Sequence, residues 1–159
     1  MEAAAVFLAV RPRSVSETRR RLRHLGYAHV LVDQVIGRLT EIGILDDDAF
    51  ARAWGESRDR AHPRGEWALR RELTLKGVAR EVVDEVLAER RDATVEGDPD
   101  RDSAAALLER RRASLEREPD PNKRRQRAYA LLARKGFDPE TCREVSRAFE
   151  SSTDVADDE

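Results

Sequence analysis

Cysteine is almost absent from this chain. Cys142 stands alone, which excludes an internal disulfide and fits a reducing compartment. Aromatic residues make up 5% of the sequence, and there are only 8 glycines and 6 prolines in 159 residues. A sandwich or barrel needs more turn formers and more β-favouring rings than that. The longest apolar run, Ala3 to Val10, falls well short of the roughly 20 residues that cross a bilayer. Glu2 and the lack of a basic leader argue against a signal peptide. A cytoplasmic protein without a membrane partner is therefore expected. No glycine-rich loop is present to cradle a phosphate, so a nucleotide cofactor has no support. His24, His29 and His62 have no Asp, Cys or Ser at triad or metal-ligand spacing, so they read as surface or turn residues. Asp46-Asp47-Asp48 lacks the spacing of a calcium loop and reads as helix capping. No catalytic residue, metal ligand or cofactor is assigned, and no enzymatic activity is expected.

What is abundant is charge, at 39% of residues, together with Glu, Arg, Ala and Leu, the composition of an all-helical protein with thin cores. One motif recurs three times. Leu22 to Tyr27, Leu73 to Val78 and Leu132 to Phe137 each place a Leu four residues before a Gly and an apolar residue directly after it. A Val follows nine residues beyond each Gly, at Val35, Val86 and Val145. Gly26, Gly77 and Gly136 therefore read as left-handed helix stops. The residue after each Gly should pack back on the Leu, as in a Schellman turn.

The turn glycines are 51 and 59 residues apart, which fits three helices per unit. The fold expected is all-α: three tandem three-helix repeats stacked as an elongated, curved solenoid-like rod. The first repeat occupies 1–43, with a short helix to Val10, a second capped by Ser14 or Ser16, and a third carrying Leu31, Val32, Val35, Ile36 and Leu39 on one stripe. The second spans 44–91. It opens with Asp46 as N-cap, has Phe50 and Trp54 on a shared core face, and includes helices over 66–76 and 80–89. A linker covers 92–100. The third repeat spans 101–150, with one helix from Arg101 to about Leu115, a second from Arg124 to Lys135, and a last one started by Asp138-Pro139-Glu140. Cys142 takes a small core position, and 151–159 is an acidic, disordered tail.

The net charge of −2 conceals blocks of opposite sign. Seven arginines stand against Glu17 and Asp33 between Arg11 and Leu39, and six basic residues face no acid between Asn122 and Lys135. The middle helices carry Arg19, Arg20, Arg21 and Arg23, then Arg70, Arg71 and Lys76, then Arg124, Arg125, Arg127, Arg134 and Lys135. Stacked in register, these would form a stripe for phosphates or an acidic protein groove. Reversing Arg124, Arg125 and Arg127 to Glu is expected to weaken that function and leave helicity intact.

The block from Leu45, Asp46, Asp47, Asp48, Ala49 and Phe50 to Trp54, joined to Arg58, Gly65 and Glu72-Leu73-Thr74-Leu75-Lys76-Gly77-Val78, resembles the signature of RecX regulators of the RecA recombinase. Arg13-Ser14 with Gly26, and Arg134-Lys135-Gly136-Phe137, carry the resemblance into the first and third repeats. Leu25 departs from it where the other repeats have Lys, as does the bulky Trp67. The resemblance implies a monomeric, non-enzymatic protein that binds the filament of RecA on single-stranded DNA, with weak affinity for the DNA alone. It would restrain strand exchange and coprotease function in DNA repair and the SOS response. A helical regulator acting on DNA without RecA, seeded by a helix-turn-helix over 66–87, is the alternative.

Overall fold

The computed structural model describes residues 1–93 and 98–154, without the side chains of 152–154. The described residues contain ten helices and no strand. They are α1 (Glu2–Val10), α2 (Val15–His24), α3 (His29–Glu41), α4 (Asp47–Ala61), α5 (Glu66–Leu75), α6 (Arg80–Asp92), α7 (Pro99–Glu109), α8 (Arg112–Leu115), α9 (Pro121–Arg134) and α10 (Pro139–Asp154). None of them is long and apolar enough to cross a membrane. The chain divides into two compact units, one of Met1–Glu56 with Arg71–Val86, the other of Ser57–Arg70 with the chain from Leu87 onward.

The glycine motif does what its spacing requires. Gly26, Gly77 and Gly136 have φ of 87°, 76° and 82°. Their N–H groups donate to Arg23, Thr74 and Ala133 carbonyls at 2.9, 2.9 and 3.0 Å. The next N–H reaches the Leu carbonyl five residues back, Tyr27 to Leu22 at 3.4 Å, Val78 to Leu73 at 3.2 Å and Phe137 to Leu132 at 3.4 Å. This is the Schellman pattern, which satisfies carbonyls that a helix end would otherwise leave bare. A fourth copy closes α3, where Gly43 has φ of 71° and Ile44 N–H donates to Leu39 at 2.9 Å.

Cores are small and local. In the first unit Ala4, Leu22, Val32, Ile36, Leu39 and Leu45 form one apolar cluster. In the second, Ala104, Leu107, Leu108 and Leu115 pack with Ala128, Leu132, Phe137, Cys142, Val145 and Phe149. Cys142 is thus a buried core residue, as its position in the motif implied. Phe50 is buried and stacks with Trp54 at 5.9 Å between ring centroids.

Two expectations about elements need correcting. The helix expected from Arg101 to Leu115 starts earlier, at Pro99, because Asp98 accepts the Asp100 N–H as N-cap and Pro99 fits the first turn. It also breaks at Arg111, whose φ of −110° and ψ of 4° leave the helix. The short α8 then lays the Arg112 guanidinium over the Phe149 ring at 4.6 Å. The middle helix expected from Arg124 begins at Pro121, capped by Asp120, which accepts from Asn122 and Lys123. At the end of the chain, α10 runs on to Asp154 into the stretch expected to be disordered. The rest of the acidic tail, and 94–97 of the linker, lie outside the described residues.

The same joint is built once in each unit. In the first, α2 begins against the turn that follows α5. Ser14 Oγ donates to the Lys76 carbonyl at 2.6 Å, and the Val15 N–H donates to Asp47 Oδ1 at 2.9 Å. In the second, α5 begins against the turn that follows α9. The Gly65 N–H donates to the Lys135 carbonyl at 3.1 Å, and the Glu66 N–H donates to Asp100 Oδ2 at 2.7 Å. Ser14 and Gly65 each lie twelve residues before their own turn glycine, so the two joints use equivalent positions. The first N–H of α2 and that of α5 are therefore each satisfied by the following repeat.

The turn glycines are also the seats of these joints. A Cβ on Gly77 would lie 2.3 Å from Ser16 Oγ, and one on Gly136 would lie 2.5 Å from the Ala68 Cβ. A Cβ on Gly26 would meet nothing within 4 Å. Gly26→Ala should therefore cost only the left-handed penalty of about 1–2 kcal/mol. Gly136→Ala carries the same penalty plus a collision with α5, so its unfolding temperature should fall clearly further in thermal denaturation. Equal losses in the two variants would contradict the joint.

Candidate anion-binding surface

The basic residues singled out in the sequence separate into three groups. Some are structural. Lys76 Nζ reaches Glu17 Oε1 at 3.1 Å and sits 4.3 Å from the centre of the Trp54 ring, while Trp54 Nε1 donates to Glu72 at 2.8 Å. Glu17 also accepts from Arg11 at 3.2 Å and, in a capping box, from the Ser14 N–H at 3.2 Å. Burial alone would raise the Glu17 pKa, but the hydrogen bonds from Lys76, Ser14 and Arg11 outweigh it and hold the group below its ordinary value.

Arg124 is the main correction. It is 7% exposed, and its Nε donates to both oxygens of Glu150 at 3.0 and 3.1 Å. Helix α9 has no acid of its own, but α10 supplies one, so Arg124 belongs to the interior rather than to a contact surface. Arg127 is partly spoken for as well, pairing with Glu118 at 2.7 Å. Arg19 pairs with Asp33 at 3.4 Å, and Arg70 with Glu66 at 3.4 Å.

The remaining cations are exposed. Arg20 and Arg23 on α2, Arg71 on α5, and Arg125 and Arg134 on α9 make no ion pair among the described residues. Arg125 lines a groove with Gln126, Tyr129, Arg143, Ser146 and Arg147, a lining that among the described residues holds three guanidinium groups and no carboxylate. Lys135 follows Arg134 in the turn after α9. Burial comes first, then the fields of Arg64, Arg111 and Arg134, in pushing its pKa down. The sequence reading did not single out Arg64 or Arg111 at this point. Arg64 stands before α5 and Arg111 between α7 and α8, so both reach Lys135 only through the fold.

The Leu-Asp-Asp block resolves into three tasks. Leu45 is buried in the apolar cluster of the first unit. Asp46 accepts the Ala49 N–H at 2.9 Å and caps α4. Asp47 is turned to the Val15 N–H instead; its pKa is raised, chiefly by burial and against that hydrogen bond. Asp100 repeats this role for Glu66 and is raised for the same leading reason. Among the described residues no group of acids, His or Cys is arranged to hold a metal.

Short capped helices joined by a recurring glycine turn define an all-α helical-repeat protein. Its sequence matches three family domains described as "RecX, first three-helix domain" over residues 1–39, "RecX, second three-helix domain" over 46–87 and "RecX, third three-helix domain" over 98–145. It is 31% identical over 138 residues to "Regulatory protein RecX" of Chlorobium phaeobacteroides (strain BS1), covering 87% of this chain and 85% of that protein. It is 33% identical over 139 residues to the protein of the same name from Prosthecochloris aestuarii (strain DSM 271 / SK 413), covering 87% and 85%. The crystal structure of RecX from Lactobacillus salivarius superposes with a TM-score of 0.78 at 16% identity, covering 94% of this chain and 93% of that one. The chain belongs to the RecX family of regulatory proteins.

Two outcomes follow from the ion pairs. Arg124→Glu would bury two like charges against each other, so it should lower stability by about 3–5 kcal/mol in denaturant unfolding. The triple reversal at Arg124, Arg125 and Arg127 would then report unfolding rather than binding. Glu17 has a folded pKa below its unfolded one, so its contribution is complete above the ordinary glutamate range and lost as pH falls through the folded value. Glu17→Gln should lower the unfolding temperature at neutral pH and flatten its fall on acidification below that range, read by circular dichroism.

Proposed function

We propose that this protein restrains the RecA recombinase. It binds the filament that RecA forms on single-stranded DNA and limits strand exchange and coprotease function, as a non-enzymatic cytoplasmic monomer. Family membership along nearly the whole chain is the observation that carries this reading. The exposed cations Arg20, Arg23, Arg71, Arg125 and Arg134 support it. Cations distributed over successive repeats suit an extended polyanionic assembly better than a small ligand, and guanidinium groups match phosphate and carboxylate oxygens in fork geometry.

The purified protein is expected to suppress the single-stranded-DNA-dependent ATPase and the strand exchange of RecA. Arg23→Glu, Arg71→Glu and Arg125→Glu combined should weaken that inhibition roughly tenfold or more with a nearly unchanged unfolding temperature. Undiminished RecA activity, together with tight binding of the protein to naked DNA at physiological salt, would point instead to a regulator acting on DNA directly. The α5–α6 turn at Gly77 would be compatible with such a helix-turn-helix. The same turn at Gly26 and Gly136 makes it a repeat feature instead.

A further inference from the structure

The turn between α9 and α10 gathers positive charge. Arg134 closes α9 and Lys135 follows it in the turn. Arg111 comes from the break between α7 and α8, and Arg64 from the residue before the α5 joint. Among the described residues, Arg111, Arg134 and Lys135 form no ion pair. The equivalent lysine of the preceding repeat, Lys76, has Glu17 beside it and an indole beneath it. Lys135 has three arginines instead. Their fields add to burial in disfavouring its charge, so an arriving anion would relieve repulsion as well as gain attraction.

Trp67 lies at the edge of this cluster. It occupies the first turn of α5, between Gly65, whose N–H is bonded to the Lys135 carbonyl, and Ala68, which packs against Gly136. Its equivalent in the first repeat is Ser16, ten residues before the turn glycine, a small side chain seated on Gly77. In the second repeat Ala68 takes the seat, and the indole is left 62% exposed. An exposed indole offers a flat face on which a base can stack. It is not part of the apolar cluster formed by Ala104 to Phe149.

We infer that Arg64, Arg111, Arg134 and Lys135 hold the phosphodiester backbone of single-stranded DNA while a base stacks on Trp67. The inference rests on the filament reading and deepens it, assigning this turn to the DNA rather than to the RecA protein. Cations track the backbone and an aromatic face accepts any base, which is the chemistry of sequence-tolerant single-strand binding. A duplex keeps its bases stacked on one another and offers the indole nothing.

The test is fluorescence anisotropy of a labelled oligothymidylate with the full-length protein at several salt concentrations. Trp67→Ala should weaken single-strand binding roughly five- to hundredfold, with Trp67→Phe retaining most of the affinity. Arg134→Ala with Lys135→Ala should reduce the salt slope by about 1.4, the loss expected for two phosphate contacts on a single strand. Binding to a duplex of the same length should be unmoved by Trp67→Ala. Should Trp67→Ala fail to fold, the Phe variant and the double alanine variant still read the site. Unchanged single-strand affinity and slope would overturn the inference. So would variants that bind the oligonucleotide normally but no longer inhibit RecA, since the turn would then touch the protein. A wild-type protein that leaves RecA untouched would sink the filament reading but not this one, which the oligonucleotide alone decides.

Discussion

A single carbonyl, that of the residue before a turn glycine, receives the start of the preceding repeat's middle helix. The other features depend on this contact. Helix starts expose N–H groups that have no partner inside the helix. Here they are satisfied across a joint, the Val15 N–H of α2 by Asp47 and the Gly65 and Glu66 N–H groups of α5 by the Lys135 carbonyl and Asp100, while the Ser14 hydroxyl donates to the Lys76 carbonyl. The glycine makes the seat possible in two ways. Its positive φ turns the chain, and its missing Cβ lets the other helix come within contact distance of the backbone. Beside apolar clusters of six and ten buried residues, these joints tie successive repeats together.

That geometry also decides where charge is left over. The two lysines that precede the turn glycines occupy equivalent positions but have different neighbours. Lys76 is enclosed by Glu17 and Trp54 and serves the joint. Lys135 lies among Arg64, Arg111 and Arg134 and serves no internal pair among the described residues. Arg124, one helix face away, is spent on Glu150. Whether a basic residue here is paired is therefore decided by the acids that the fold, rather than its own helix, brings to it.

How much of this the sequence discloses depends on range. The glycine turns are local and were legible from Leu-x-x-x-Gly spacing, as were the Asp46 and Asp138 caps. Asp98-Pro99 and Asp120-Pro121 carry the same start signal as Asp138-Pro139, and overlooking them put two helix starts two or three residues late. The pairing of Arg124 with Glu150 joins residues 26 apart, and nothing in α9 alone announces it. Asp47 reads locally as an acid in the first turn of its own helix, yet its partner is Val15, 32 positions away. The cation cluster was half legible: Arg134 and Lys135 were visible on a basic helix, while Arg64 and Arg111 reach them only through the fold.

Amide hydrogen exchange tests the joint most directly. The N–H groups of Val15, Gly65 and Glu66 sit at helix starts, where exchange is ordinarily fast. If the following repeat holds them, they should be protected to the level of core amides in their own unit and exchange only when that unit opens. Exchange of these three at the rate of frayed helix ends, with the cores still protected, would contradict the account.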